Sequence, residues 1–165
     1  MSLGLTAPEP LAEHHLLDEF DCGELILDDW LKRRARANQI SGASRTFVVA
    51  GEDRRVYGYY ALAAGAVTHQ MATGGVRRNM PDPIPVMVLG RLAVDQRAKG
   101  CQLGGALLRD AVQRAIQVSR NAGVRALLVH ALNEQARQFY EHYGFQVSPM
   151  DPLTLMLRLD STQHQ

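Results

Sequence analysis

The fold is decided by the stretch VMVLGRLAVDQRAKGCQLGGALL, which runs from Val86 to Leu108. Its first part, up to Val94, is almost continuously apolar, as expected for a strand that is buried on both faces. A turn rich in glycine follows from Lys99 to Gly105, and an apolar-periodic helix follows the turn. A strand that enters such a turn and then a helix presents several backbone N–H groups at the positive end of the helix. That arrangement suits an anion, best of all a pyrophosphate.

The glycines of this turn have two interpretations. Gly100, Gly104 and Gly105 would let the backbone approach a ligand closely. They also fit a plain connection between a strand and a helix. The turn matches neither the G-x-x-x-x-G-K-[ST] motif nor the G-x-G-x-x-G motif of nucleotide-binding proteins. The glycines alone therefore leave both interpretations open.

On the N-terminal side of this stretch the sequence predicts one helix and a hairpin. The helix extends from about Glu24 to Ser41, and Gly42 is a plausible end. Thr46–Ala50 and Val56–Val67 are predicted as two strands joined by a short turn. Residues 68–85 form a long polar loop, and loops of this length in compact domains are usually functional or mobile.

On the C-terminal side the sequence predicts a strand at Val124–Leu132 and a short helix at Asn133–Tyr143, which Asn133 caps. Two short strands, Phe145–Val147 and Leu153–Leu159, end the pattern. The order is therefore helix, hairpin, and then β-turn-α-β-α-β-β. This order predicts an α/β protein with a mixed sheet, at least one parallel crossover, and a single domain over residues 1–165.

Composition and cysteine content fit a globular protein without a disulfide framework. The chain has 165 residues, of which 46% are apolar. Cys22 and Cys101 are far apart in sequence, which favours a reducing compartment. The N-terminus lacks the pattern of a secretion signal, and no apolar run approaches the ~20 residues that a membrane span needs. We therefore expect a soluble, cytoplasmic protein that does not associate with membranes.

The charge is distributed unevenly along the chain. Residues 1–30 contain eight acidic residues and no Lys or Arg, whereas residues 31–137 contain seventeen Lys and Arg against six acidic residues. Sixteen of the eighteen basic residues are arginine, whose planar fork suits phosphate and whose face stacks on bases. This pattern indicates either a nucleic-acid partner or simply a solvated basic surface.

A second motif, NEQARQFYEHYGF, runs from Asn133 to Phe145. Together the two stretches resemble the Gcn5-related N-acetyltransferases, the GNAT superfamily. The turn looks like that family's pyrophosphate motif, [QR]-x-x-G-x-[GA], with Lys99 in place of Gln or Arg and Gln102 in place of the first Gly. The second motif looks like the family's N-x-x-A-x-x-F-Y-x-x-x-G-F segment. The resemblance implies a mostly antiparallel sheet, flanked by helices, with a parallel pair splayed around an acetyl-CoA site.

Further segments, spread from end to end, look like those of the TacT-type GNAT toxins. They are Thr6–Leu11, Leu27–Leu31, Arg45–Val49, Arg77–Val86, Arg91–Asp95 and Val129–Leu132. Members of that group acetylate the α-amino group of aminoacyl-tRNA and stop translation, and a ribbon-helix-helix antitoxin neutralises them. The resemblance thus implies acetyl-CoA as donor, aminoacyl-tRNA as acceptor, such an antitoxin as partner, and a homodimer.

The same resemblance assigns roles at the site of transfer. Tyr140 matches the family position of the general acid, and a phenol is a reasonable proton donor to a leaving thiolate. A free α-amino group, with a pKa near 7.7–8.0, needs no strong base. The residues expected to bind the acetyl-CoA are Leu92, Ala93, Val94, Lys99, Gly100, Cys101, Gln102, Leu103, Gly104, Gly105 and Asn133. Asn133 has the alternative role of a helix cap alone.

Candidate RNA-binding residues lie on the first helix and in the long loop. They are Lys32, Arg33 and Arg36 on the helix, and Arg77 and Arg78 in the loop; the alternative is a solvated face. The six histidines show no metal spacing, so we expect no metal, and His130 is expected in the core. Cys101 could be a nucleophile, but the resemblance implies direct transfer.

Two other functions remain open from the sequence. A GNAT enzyme could instead acetylate protein N-termini or a small-molecule amine. A module that senses acyl-CoA without turnover is conceivable because of Gln102. If the backbone of Gln102 is left-handed, where the family usually has glycine, the strain costs about 1–2 kcal/mol.

Overall fold

The computed structural model of the protein describes residues 4–160. Its helices are α1 (Leu25–Arg33), α2 (Ala35–Ser41), α3 (Gly74–Arg77), α4 (Leu103–Ser119) and α5 (Glu134–His142), with a 3-10 turn at Gln96–Ala98. Its strands are β1 (Glu9–Pro10), β2 (Arg45–Ala50), β3 (Val56–Val67), β4 (Ile84–Val94), β5 (Ala126–His130), β6 (Gln146–Val147) and β7 (Thr154–Arg158). The strands form one seven-stranded sheet in the order β1-β2-β3-β4-β5-β7-β6, in which β4 and β5 are parallel. The predicted α/β class with a mixed sheet is confirmed.

The described chain divides into two compact units. The first comprises residues 4–63 and 90–111, and the second comprises residues 64–89 and 112–160. Strands β3 and β4 and helix α4 each contribute residues to both units. The two units are described separately below.

In the first unit, β2 pairs antiparallel with β1 and β3. Phe20, Leu31 and Tyr59 are among the side chains that build its core, and Trp30 packs against them. On α4, Leu103 and Leu107 pack closely on β3. A Cβ added at Gly58 would lie 2.9 Å from Leu107 Cδ1 and 3.0 Å from Leu103 Cδ2. Glycine at position 58 is therefore required for this close approach of helix and strand.

In the second unit, the parallel register pairs Val86–Leu89 of β4 with Ala126–Val129 of β5. Strand β7 lies antiparallel to both β5 and β6. The core beside these strands contains Ile84 and Met156, together with Val76 from α3. The loop between β3 and β4 is thus folded onto the sheet through α3.

The predicted helix from Glu24 to Ser41 is wrong as a single helix. It is divided at Arg34, where φ is −119°, into α1 and α2. No glycine or proline marks the break in the sequence. Leu31 and Ala35, on either side of it, are both fully buried. Packing of these two side chains into the core, rather than local propensity, accommodates the break.

Other boundaries also differ from the prediction. Helix α4 begins at Leu103, inside the expected glycine turn, because Leu103 is already buried against β3. The loop at residues 68–85 contains the short helix α3. Strand β1 was not predicted because it has two residues and includes Pro10, which is tolerated only at a sheet edge such as this one. His130, expected in the core, is exposed at the end of β5.

Between residues 4 and 160, no helix is both long enough and apolar enough to cross a membrane.

Candidate active site and RNA-binding surface

The turn between β4 and α4 opens α4, and all its residues from Lys99 to Gly105 belong to the first unit. The N–H groups in the first turn of a helix have no carbonyl partner within that helix. Gly100 has a φ of 89°, and a Cβ built there would meet nothing within 4 Å. The turn is therefore open at Gly100, and the start of α4 offers donors suited to a phosphate.

Gln102 adopts the left-handed conformation, with a φ of 59°. It is one of three residues other than glycine with a positive φ among residues 4–160. An L side chain in this region costs about 1–2 kcal/mol. Gln102 thus has a backbone conformation that glycine could adopt without strain.

Substituting glycine for Gln102 is expected to raise the free energy of unfolding by up to about 1 kcal/mol. The relief of strain exceeds the extra entropy that glycine brings to the unfolded chain. Urea denaturation would measure the change. Gln102→Ala is the matched control, because alanine removes the side chain and keeps the strain. Equal stabilisation by both variants would show that backbone strain at Gln102 is not the cause.

Asp95 organises the beginning of this turn. Its carboxylate is 1% exposed and accepts the backbone N–H groups of Asp21 (2.9 Å) and Arg97 (2.8 Å). The guanidinium of Arg97 adds two further bonds, from Nε at 2.9 Å and Nη2 at 3.0 Å. Burial alone would raise the pKa of Asp95, but the hydrogen bonds from Arg97 and Asp21 outweigh it and hold that pKa below its usual range. Asp95 is therefore ionised at neutral pH.

The segment before α1 is tied to the same turn. Lys99 Nζ donates to the carbonyl of Cys22 at 3.1 Å, and the Gln96 N–H donates to the carbonyl of Asp21 at 2.9 Å. The Cys22 N–H in turn donates to the buried carboxylate of Asp28 in α1. Burial, reinforced by the neighbouring Asp28, raises the pKa of the Cys22 thiol to about 12, so this cysteine is not a nucleophile.

Strand β4 continues beyond its pairing with β5. The parallel register ends at Leu89, whereas β4 itself extends to Val94. Ala93 is buried in the core of the first unit, and Leu92 and Val94 are half-buried. In the first unit, residues 90–94 thus form the last part of β4 as extended backbone.

Tyr140 lies on α5 in the second unit and is 5% exposed. Its ring packs against Phe139 and Phe145, with centroid distances of 5.2 and 5.5 Å. Within residues 4–160 its hydroxyl makes no hydrogen bond. Burial raises the pKa of the phenol above its ordinary value, so the hydroxyl keeps its proton at neutral and mildly alkaline pH. A protonated, unengaged phenol is what a general acid requires.

Asn133 begins α5 as a side-chain cap. Its Oδ1 accepts the backbone N–H of Ala136 at 2.9 Å. The capping role predicted from the sequence is confirmed. The oxygen of this side chain is therefore already engaged within the helix that carries Tyr140.

The candidate RNA-binding residues differ from one another in exposure and in the unit to which they belong. Lys32 and Arg33 are exposed on α1 in the first unit, and Arg77 and Arg78 are exposed at the end of α3 in the second. Arg36 is half-buried and donates from Nη2 to the carbonyl of His15 at 2.5 Å. Its guanidinium therefore also connects α2 to the N-terminal segment.

Arg125 supports the loop that carries Arg77 and Arg78. Its Nε donates to the carbonyl of Val76 at 3.1 Å. Its Nη2 donates to the carbonyls of Gly75 and Arg78, both at 3.2 Å. Burial, and the nearby charges of Arg158 and Arg78, lower the pKa of Arg125. Sequence reasoning missed Arg125, because nothing local to it marks a contact with residues about fifty positions earlier.

One group among residues 4–160 has the composition of a metal site: Glu9, His14 and His15. His15 Nδ1 accepts the N–H of Ala12 at 2.9 Å, so the proton of the neutral ring lies on Nε2, 2.7 Å from Glu9 Oε1. Both ring nitrogens of His15 are thus committed to hydrogen bonds, and neither offers a lone pair to a metal. The arrangement does not fit a metal centre.

Comparison with known proteins identifies the family. Residues 43–147 match the acetyltransferase (GNAT) domain. The chain belongs to the GNAT acetyltransferase family. It is 52% identical, over 154 residues, to a tRNA-acetylating toxin of Mycobacterium tuberculosis; the match covers 93% of this chain and 92% of that relative.

Two solved structures resemble this acetyltransferase along nearly its whole length. AtaT complexed with acetyl-methionyl-tRNAfMet has a TM-score of 0.88 and 28% identity, covering 96% of this chain and 97% of that one. A Tyr-to-Phe mutant of AtaT bound to acetyl-CoA and to the C-terminus of the antitoxin AtaR has a TM-score of 0.80 and 27% identity, covering 97% and 95%. The GNAT fold expected from the motifs is confirmed, and acetyl-CoA is the donor that this family of enzymes uses.

For Arg91 of this acetyltransferase, which lies in one of the toxin-like segments, the sequence predicted no role of its own. Arg91 is a charged residue inside the otherwise apolar run of β4, and its guanidinium lies over the ring of Trp30, 4.8 Å from the centroid. A charge in a buried strand was a signal that could have been followed.

Proposed function

We propose that this enzyme transfers the acetyl group of acetyl-CoA to the α-amino group of aminoacyl-tRNA and thereby stops translation. The observation that carries the proposal is the 52% identity, over 93% of this chain, to a tRNA-acetylating toxin. The excess of arginine in residues 31–137 supports an RNA substrate.

The donor site is proposed at the turn and the strand before it. Between Lys99 and Gly105, the backbone N–H groups other than those of Lys99 and Cys101, which donate to the carbonyls of Gln96 and Ala98, hold the pyrophosphate at the positive end of α4. The strand backbone of Leu92, Ala93 and Val94 receives the pantetheine arm and supplies donors to the oxyanion of the transfer step. Bound acetyl-CoA supplies an acetyl thioester. The open space at Gly100 and the unpaired first turn of α4 fit such a ligand.

Transfer is proposed to be direct, with Tyr140 as general acid. The neutral amine attacks the thioester carbonyl, so that a C–N bond forms and the C–S bond breaks. The nitrogen loses one proton to solvent, and the phenol of Tyr140 donates a proton to the leaving thiolate. The buried phenol, whose pKa is raised, is protonated before each turnover.

The acceptor RNA is proposed to bind along the basic residues Lys32, Arg33, Arg36, Arg77 and Arg78. Contacts of this kind go to phosphates and give affinity without reading sequence. Lys32, Arg33, Arg77 and Arg78 present exposed charges, and Arg36 contributes through a guanidinium that is partly engaged. Residues 1–165 are proposed to act as one catalytic domain, in a homodimer, with a ribbon-helix-helix antitoxin as inhibitor. The AtaT structure bound to the C-terminus of the antitoxin AtaR supports an antitoxin as partner.

The direct test is incubation of the purified enzyme with acetyl-CoA and a mixed pool of aminoacyl-tRNAs. We expect acetylated aminoacyl-tRNA, which resists the deacylation that frees unmodified amino acids, and arrest of growth on expression. Peptides with free N-termini and small amines serve as competing acceptors in the same assay. Acetylation of those acceptors without any acetylated aminoacyl-tRNA would overturn the proposal. Acetyl-CoA binding without turnover on any acceptor would also overturn it and indicate a sensing module.

A further inference from the structure

Arg91 carries a positive charge that the described chain leaves without a counterion. It is half-buried in β4, and its Nε is buried with no hydrogen-bond partner among residues 4–160. The hydrogen bond that its guanidinium makes there is a long one, 3.4 Å from Nη1 to the carbonyl of the adjacent Gly90. A partly desolvated guanidinium without a carboxylate or a full set of acceptors is costly.

Arg97 provides an internal comparison. It also lies over an aromatic ring, that of Tyr57, at the same distance of 4.8 Å. Its guanidinium, however, makes a bidentate pair with the carboxylate of Asp95. Of these two stacked arginines, Arg97 in the 3-10 turn has a carboxylate partner within the described chain, and Arg91 in β4 does not. The difference indicates that Arg91 is kept for a ligand, whereas Arg97 is structural.

Arg91 packs on an aromatic ring that is itself packed against the core. Trp30, beneath the guanidinium, stacks almost parallel on Tyr59, with a centroid distance of 6.0 Å and an angle of 8°. Tyr59 is fully buried, and its hydroxyl donates to the carbonyl of Leu27 at 2.6 Å. The indole covers one face of the guanidinium. Although its Nε is buried, Arg91 as a whole is only half-buried, and a planar guanidinium matches the oxygens of a phosphate.

We propose that Arg91 binds a phosphate at the acceptor end of the RNA substrate, close to the amine that is acetylated. This inference rests on the proposed function. Phosphates of acetyl-CoA have the same chemistry, but the backbone donors between Lys99 and Gly105 already suit them. Arg91 packs instead on Trp30 of α1, and the exposed Lys32 and Arg33 lie in the same helix, two and three residues after Trp30. Arg91 thereby extends the basic surface of α1 onto the strand that precedes the donor turn.

The test compares full-length aminoacyl-tRNA with an aminoacylated minihelix that contains only the acceptor stem and the CCA end. Arg91→Ala is expected to lower kcat/KM by about 10- to 100-fold on both RNAs. Arg91→Lys, which keeps the charge and the apolar stem but not the fork, is expected to fall between wild type and alanine. Calorimetry with acetyl-CoA is expected to give the same affinity for all three proteins.

Each other outcome has a defined meaning. If Arg91→Ala lowers kcat/KM on full-length tRNA but not on the minihelix, the contact lies in the body of the tRNA, and the assignment is overturned. Weaker acetyl-CoA binding by Arg91→Ala would assign the phosphate to the donor and also overturn it. Activity of both variants equal to that of wild type would show that Arg91 binds no substrate. If wild type itself acetylates neither RNA, the proposed function fails, and the inference from Arg91 falls with it.

Discussion

Tyr140→Phe is expected to reduce kcat for acetyl transfer by about 10²- to 10⁴-fold, the usual contribution of a positioned general acid. The substitution removes one hydroxyl from a buried ring and keeps the packing of that ring against Phe139 and Phe145. The thiolate would then leave without a proton donor. Quenched time courses with saturating acetyl-CoA and aminoacyl-tRNA would measure kcat directly.

Tyr143→Phe is the matched control for this experiment. Tyr143 follows α5 as its C-cap, contacts Phe139 and is only half-buried. We expect it to retain kcat within about threefold, within the usual range for a conservative change away from the chemistry. Acetyl-CoA affinity and thermal unfolding of the Tyr140 variant should match wild type. A Tyr140→Phe enzyme that turns over normally would remove Tyr140 from the mechanism.

The pH profile gives an independent check on the same group. The rate should rise as the substrate amine loses its proton, with a midpoint near the ordinary α-amino pKa of about 7.7–8.0. A general acid stops working when it is deprotonated, above its own pKa. Because burial raises the pKa of Tyr140 above the ordinary phenol value of about 10, the profile should stay flat to at least that pH. A decline between pH 8 and 9 would point to a different proton donor.

Arg77→Ala combined with Arg78→Ala is expected to weaken tRNA binding by about tenfold or more at low salt. Removing one cation that neutralises a phosphate should make the plot of log affinity against log salt shallower by about one unit, so the double variant should flatten it by about two. Filter binding or fluorescence anisotropy between low and moderate salt would measure this slope. Both side chains are exposed at the end of α3, so their removal should not unfold the protein.

Arg120→Ala is the control for the general effect of charge. Arg120 is exposed just after α4 and lies outside the proposed RNA-binding residues. Its removal should leave the salt slope almost unchanged. A double variant of Arg77 and Arg78 with an unaltered slope would assign these two residues to a solvated surface rather than to the RNA.

The elements with strong local signals were predicted from the sequence. Strand β3 has the expected bounds, Val56 to Val67, because turn residues flank a long β-prone run. Asn133 caps α5 as expected, because the cap lies within the same four residues as its hydrogen-bond donor. The break at Arg34 was not predictable, since it depends on how Leu31 and Ala35 meet a core assembled from distant segments.

In the candidate active site, too, features with local sequence signals were predicted and features that depend on distant contacts were not. Motif spacing was enough to single out Tyr140 and the turn from Lys99 to Gly105, and the left-handed Gln102 occupies the position where the family has glycine. The supports of these residues were not predictable. Asp95 collects donors from Asp21 and Arg97, and the contact with Asp21, so far away in the chain, leaves no periodic signal. Pairing of this kind is a property of the folded chain alone.

The three hydrogen bonds from Arg125 to backbone carbonyls affect the entropy that RNA binding at Arg77 and Arg78 would cost. The guanidinium of Arg125 binds the backbone carbonyls of Gly75, Val76 and Arg78. The segment that carries Arg77 and Arg78 is therefore ordered when the chain folds and not when a ligand binds. The conformational entropy of that segment is therefore lost on folding, and no further loss is needed when a ligand binds. If Arg77 and Arg78 bind the RNA as proposed, this preorganisation lowers the entropic cost of each binding event.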